Sequence, residues 1–200
     1  KKAQKWVDHK DGIVKGNIKH PFNVKMEAPK SSILQVYTAY MPTSVKLDAT
    51  LEAAKYILDM IYTSTLREGE GGTYGAGVAM GSSIRPEHRA IIQVMFDTNE
   101  QMADELTEIV FAEIEKIAKE GPLAEDMEKT REYENKNYAK TIEQNGWWST
   151  TLSQFYEYNI NRVEEYLPAV NGVTSADVQA MAKKILDDGN LIKVVMRPEK

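Results

Sequence analysis

Cysteine is absent from all 200 residues. Disulfides, thiolate metal sites and cysteine nucleophiles are thereby excluded, and an oxidising compartment suits the chain as well as a reducing one. Long apolar runs are missing too: none approaches the roughly 18 residues that a membrane-spanning helix needs. Histidine is scarce, and His9, His20 and His88 lie far apart, whereas zinc sites draw their ligands from tight spacings. Clustered positive charge is lacking. The 25 Lys and Arg against 30 Asp and Glu leave a formal net charge of −5, which argues against a nucleic-acid surface. The lysines of the start (Lys1, Lys2, Lys5, Lys10, Lys15, Lys19) are interrupted by acids and glycines and read as a solvated segment. No G-x-S-x-G nucleophile turn occurs, and no internal repeat or low-complexity tract.

What remains is an ordinary globular composition, 42% hydrophobic and 28% charged, with enough apolar material for a sizeable core. The length fits one domain. Residues 1–30 are polar and broken by Gly12, Gly16, Pro21 and Pro29, which reads as a lead-in or linker from an upstream domain, with a short strand near Gly12–Ile18. The chain does not begin with Met and is expected to belong to something longer.

From Ser32 to Met41 the residues suit a strand, ended by Pro42. Leu47, Leu51, Ala54, Leu58, Ile61 and Tyr62 then recur at helical spacing and predict a helix over Leu47–Leu66. Strands are expected at Tyr74–Ser83 and Arg89–Asp97, turned by Pro86-Glu87-His88 as an antiparallel pair. Thr98 with Gln101 forms a capping-box pattern ahead of the next helix, which Gly121 and Pro122 terminate. A charged helix follows over Leu123–Gln144, broken by Asn145-Gly146. Then come an aromatic-rich helix in "WWSTTLSQFYEY", a short one over Asn161–Ala169, one capped by Thr174 and Asp177, and a last strand, "LIKVVM". This order predicts an α+β fold: an antiparallel sheet with helices packed on one face.

The stretch "TLREGEGGTYGAGVAM", Thr65–Met80, holds five glycines in nine residues. It is no phosphate loop. Such loops follow a strand and open a helix; this one does the reverse, no Lys-Ser or Lys-Thr closes it, and Glu68 and Glu70 would repel phosphate. "IRPEH", Ile84–His88, has the last two residues of an H-x-x-E-H zinc motif, but Ile84 cannot bind metal and Pro86 opposes the helix the motif needs. His88 reads as a turn histidine. Arg67 and Tyr74 flank the glycines. Read plainly, they are a helix-ending Arg suited to the local dipole and a strand Tyr. Read functionally, they are N–H and O–H donors brought close to another chain, able to hold a peptide carbonyl or a developing oxyanion.

"LREGEGGTYGAGVAM" resembles the L-R-E-x-x-G-x-x-Y segment in the C-terminal half of insulinase/pitrilysin-type zinc metallopeptidases, with Arg67 and Tyr74 on the family's arginine and tyrosine. The resemblance runs from Ser32 to the end, through "EGPLAEDMEKTREYENKNYAKTIEQNGWWSTTL", "VTSADVQAMAKKIL" and "KVVMRPEK", and the Asn-Gly-Trp-Trp stretch is similar to bacterial members. It implies a two-layer α+β domain over 31–200, one of several homologous domains that form two halves around a chamber. The N-terminal half of such enzymes carries the zinc motif on the first helix of a domain. The matching helix here, Leu47–Leu66, has no histidine, so the chain resembles the last, non-zinc domain. The resemblance therefore implies zinc in the full-length protein and none bound by this fragment. It implies no catalytic residue here, substrate-binding roles for Arg67 and Tyr74, and a strand edge beside them suited to β-addition. The implied partners are an N-terminal zinc-binding half, fused or separate, and a peptide substrate. The fragment alone is expected to be inactive, with the bacterial periplasm or cell envelope as its place. The alternatives are an inert scaffold of the same fold and a free-standing peptide-binding module.

Overall fold

The computed structural model describes residues 5, 7, 12–69, 73 and 75–199, with the backbone alone at 67–69. In chain order the elements are β1 (Asn17–Val24), β2 (Ser31–Ala39), α1 (Val45–Tyr62), a π-helical segment (Thr63–Gly69), β3 (Ala76–Ser83), β4 (Arg89–Thr98), α2 (Ala103–Glu120), α3 (Ala124–Thr141), α4 (Asn145–Tyr158), α5 (Arg162–Gly172), α6 (Ser175–Asp187) and β5 (Asn190–Pro198). The strands form one sheet in the order β1-β5-β2-β4-β3.

Period-two alternation decides which side of the sheet is covered. Ile33, Gln35, Tyr37 and Ala39 of β2 and Ala90, Ile92, Val94 and Phe96 of β4 are buried under the helices. Their neighbours in sequence point the other way. On that uncovered face Leu34, Val36, Ile91, Met95, Ile192, Val194 and Met196 lie side by side in register. The α+β architecture with helices on one face is therefore present. The sheet is mixed, however, because β1 runs parallel to β5 while every other pair is antiparallel. β1 lies further along than the sequence suggests. It enters through Gly16 at a φ of 90°, whose N–H donates to Asn190 Oδ1 at 3.0 Å. The second half of segment 1–30 is thus paired with the sheet.

Helix ends follow local chemistry. Ser44 caps α1, its Oγ accepting from the Leu47 N–H at 3.0 Å. The Thr174/Asp177 capping box of α6 is formed in both directions. The Thr98/Gln101 pattern does not start α2: the helix begins at Ala103, and Asn99 Oδ1 accepts from the Met102 N–H at 2.9 Å instead. Asn145 and Gly146, expected to break a helix, form the first turn of α4. α3 ends at Thr141, four positions before Asn145. Both residue types are at home near a helix N-terminus. Gly121 ends α2 at a φ of 74°, and a Cβ there would stand 2.8 Å from Ser175 Oγ, so this crossing of α2 and α6 needs glycine.

One polar device sits inside the core and a second, half-buried, beside it. Gln35, fully buried on β2, donates from Nε2 to the Thr107 carbonyl at 2.7 Å and accepts from the Tyr37 hydroxyl, which pins α2 to the sheet. Asp48 of α1 pairs with Arg162 of α5 at 2.5 Å and accepts from Ser82 Oγ of β3 at 2.6 Å. The Arg162 guanidinium also lies 4.7 Å over the Tyr166 ring. One acid therefore joins three elements at the far end of β3.

Candidate functional site

The glycine-rich connection leaves α1 by an unusual route. Thr63 and Thr65 donate from Oγ1 to the carbonyls of Asp59 and Ile61, at 2.8 and 2.9 Å. Such back-bonding competes with regular helix geometry, and here the chain widens into the π-helical segment Thr63–Gly69. π-Turns recur at functional sites because they re-aim the side chains they carry. Leu66, fully buried, anchors the segment. Arg67 follows it directly, in the last π-helical turn. Its side chain lies outside the described residues, and so does Tyr74. Where the chain is described again, Gly75 has a φ of 146°, and its N–H donates to Thr73 Oγ1 at 3.2 Å. Left-handed backbone of this kind favours glycine. The loop thus delivers the chain onto β3 at the edge of the sheet. A cleft of about 610 Å³ runs beside the π-helical segment, between Met60, Ile61 and Thr65 on one side and Ile117, Pro122 and Leu123 on the other.

Among the described residues no group of three or more His, Cys, Asp and Glu can hold a metal ion. α1 carries Asp48 and Glu52 one turn apart, and Glu134 of α3 is buried nearby, but Asp48 is already committed to Arg162. Burial pushes the Glu134 carboxyl above its usual range, and the charge of Glu52 adds to this. Burial likewise raises Glu52, while Lys55 opposes the shift. His88 acts as a turn histidine: its Nδ1 accepts from the Thr43 N–H at 3.1 Å and its ring stands edge-on to Tyr40.

Two further surfaces are contact-ready. The uncovered sheet face is one. The other is α4, which exposes Trp148, Leu152, Phe155 and Tyr156. The aromatic richness of α4 was legible in the sequence. Its outward direction was not, because an aromatic helix is ordinarily core. Nor was the Asp48–Arg162–Ser82 junction, whose members are 114 and 34 residues apart.

The described residues thus form a two-layer α+β domain with a glycine-rich helix-to-strand connection at the sheet edge. Residues 1–133 match the family described as the peptidase M16 inactive domain, and the chain belongs to that family. No curated protein matches it. Among solved structures, a peptidase M16 inactive domain from Pseudomonas fluorescens is 16% identical with a TM-score of 0.74, covering 93% of this chain and 44% of that one. The periplasmic protease PqqL from Escherichia coli is 15% identical with a TM-score of 0.75, covering 91% of this chain and 21% of that one. The ferredoxin protease FusC, solved in complex with Arabidopsis ferredoxin, is 16% identical with a TM-score of 0.74, covering 94% and 21%. At these identities the likeness is one of fold. The chain spans less than half the length of each.

Proposed function

We propose that this chain is the substrate-contacting, metal-free domain of a zinc-dependent endopeptidase, the expected domain over 31–200 being extended at its start by β1, which pairs with its sheet. The observation that carries this reading is the family match, which spans the Arg67–Tyr74 loop. In this account the N-terminal half, fused or separate, holds the zinc and performs the hydrolysis. The present domain closes the chamber opposite, and its uncovered face, with half-buried apolar side chains and the exposed Met95, meets the rest of the protein. Arg67 and Tyr74 donate hydrogen bonds to the peptide backbone near the scissile bond, where fixed donors stabilise developing charge. Alone, the chain does not cleave peptides. The fold shared with a periplasmic protease favours the periplasm or cell envelope as its place.

The test is cleavage of an unfolded peptide by the full-length protein carrying Arg67→Ala or Tyr74→Phe. A lost charged hydrogen bond costs about 1.5–3 kcal/mol, or roughly 10- to 100-fold in kcat/KM. Unchanged cleavage would count against the reading.

The second reading, an inert scaffold of the same fold, draws on the aromatic row of α4, which suits assembly. An H-x-x-E-H helix upstream or in a partner chain argues for the peptidase; its absence from both argues for the scaffold.

A further inference from the structure

We infer that Arg89, with the hydroxyl of Ser83 beside it, receives a carboxylate from the rest of the full-length protein, and that this charged contact fixes how that part seats on the uncovered sheet face. The inference rests on the reading given above, that the uncovered face meets the rest of the protein.

The place of the two side chains follows from strand alternation. Ala90 and Ile92 of β4 are buried under the helices, so Arg89 and Ile91 turn to the uncovered side. Ser82 of β3 reaches Asp48 on α1, so Ser83 turns to that side as well. Ser83 and Arg89 are partners across β3 and β4, and side chains directly opposite in an antiparallel pair stand about 5 Å apart at Cβ. Next along the same face, Ile91 lies opposite Gly81 on one side and Thr38 on the other. The guanidinium therefore sits beside small and apolar neighbours.

Among the described residues Arg89 differs from the other arginines in having no partner. Arg85 lies over the Tyr158 ring at 5.4 Å, Arg131 donates to the Val173 carbonyl at 3.5 Å, Arg162 pairs with Asp48, and Arg197 pairs with Asp104. No ion pair of the described residues includes Arg89. Its Nε and the Ser83 Oγ are both buried without a hydrogen-bond partner. Leaving such groups unsatisfied is costly. A lysine or a carboxyl can lower that cost by changing its protonation state, but a guanidinium keeps its charge. A surface that covers this face must therefore bring negative charge to Arg89. A carboxylate serves both groups, since its oxygens accept from the arginine fork and from the serine hydroxyl together.

The surroundings are held in place. Thr43, between β2 and α1, donates from Oγ1 to the Ser83 carbonyl at 2.9 Å and from its N–H to His88 Nδ1 at 3.1 Å. Glu87, two positions before Arg89, is engaged elsewhere: its Oε1 accepts from the Ile13 N–H at 2.6 Å. In proteins of the size of PqqL and FusC, of which this chain spans 21% each, most of the polypeptide lies outside this domain and can supply the covering surface.

The test places an amine where the guanidinium stands. In the full-length protein carrying Arg89→Lys, a carbodiimide joins that amine to a carboxylate in contact with it, and peptide mass spectrometry identifies the acid. The expected product links position 89 to an Asp or Glu outside the 200 residues. A product confined to Glu87, Asp8 or Asp11, a product between two copies of the chain, or no product would overturn the inference. A second variant separates docking from a structural role. In the 200-residue chain Arg89→Met should leave the urea midpoint unchanged or raise it, because a charge without a partner is removed. In the full-length protein the same variant should speed hydrogen exchange in β3 and β4 by about tenfold or more, as a lost charged hydrogen bond does. A midpoint that falls in the 200-residue chain, or full-length exchange within about twofold of the unaltered protein, would also overturn it. Peptide cleavage distinguishes this idea from the function it rests on. Arg67-dependent cleavage without the crosslink overturns the Arg89 contact alone, whereas the crosslink with Arg67-independent cleavage supports the contact and overturns the role given to Arg67.

Discussion

β1 carries Lys19, His20 and Pro21 along one edge of the sheet, while β3 carries small neutral residues along the other. Their surroundings differ as much as their sequences. β1 is held by β5, with the Gly16–Asn190 bond at its start. β3 is packed against α1 and tied through Ser82 to the Asp48–Arg162 pair, with the glycine-rich loop at one end and that half-buried junction at the other. β3 is therefore the mechanically braced edge, and rigid, pre-ordered elements lose less entropy when they join an interface. The guarded edge lies across the sheet, in the segment that leads the chain in.

The largest expected effect comes from removing the brace. Arg162→Ala leaves the half-buried Asp48 without its cation, and loss of a charged hydrogen bond costs about 1.5–3 kcal/mol. Chemical denaturation should register the loss, and hydrogen exchange should accelerate in β3 more than in β1. A smaller effect is expected from Tyr62→Phe, which deletes the hydroxyl that donates to the Val110 carbonyl at 3.0 Å between α1 and α2. Loss of one buried hydrogen bond costs about 1 kcal/mol, visible as a lower denaturation midpoint.

The next prediction concerns pH. Glu134, 6% exposed, has a raised carboxyl pKa in the fold, chiefly from burial and then from Glu52. The folded state therefore binds this proton more tightly than the unfolded one. The resulting stability is fully present below the ordinary carboxylate value and is lost as pH rises through the raised folded value. Glu134→Gln should remove that loss, so the variant gains on the wild type with rising pH. Thermal melts at stepped pH would check it. Asp97 runs the opposite way: hydrogen bonds from Lys30 and then Ser32 lower its pKa, so its contribution is present above the ordinary value and is lost as pH falls through the lowered one. Half-exposed as it is, this pair is worth only about 0.5 kcal/mol. The smallest stability change belongs to Lys19→Thr with Pro21→Val, about 0.5 kcal/mol or less at an exposed edge. This double variant should nonetheless make β1 self-associate, readable as a concentration-dependent sedimentation coefficient, and so erase the contrast between the edges.

Much of the fold was legible because its elements announce themselves locally. The alternation of β2 and β4, the Thr174/Asp177 cap and the Gly121-Pro122 stop are patterns of neighbouring residues. What the sequence hid was long-range. The parallel pairing of β1 depends on a strand some 170 residues away, and Gln35 looks like a polar interruption until the Thr107 carbonyl is placed above it. The Thr98 cap failed because Asn99 competes for the same helix start one residue later. At the candidate site, the loop and its Arg67 and Tyr74 stood out by resemblance. The place of β3 at an edge of the sheet required the strand order.

The most direct test of the central claim, that this domain touches substrate inside a larger peptidase, is photo-crosslinking in the full-length protein. A benzophenone side chain at position 74 should label a bound unfolded peptide, and excess unlabelled peptide should compete the label away. A protein that cleaves the peptide yet forms no crosslink from that position, or forms one that excess peptide leaves unchanged, would contradict the account.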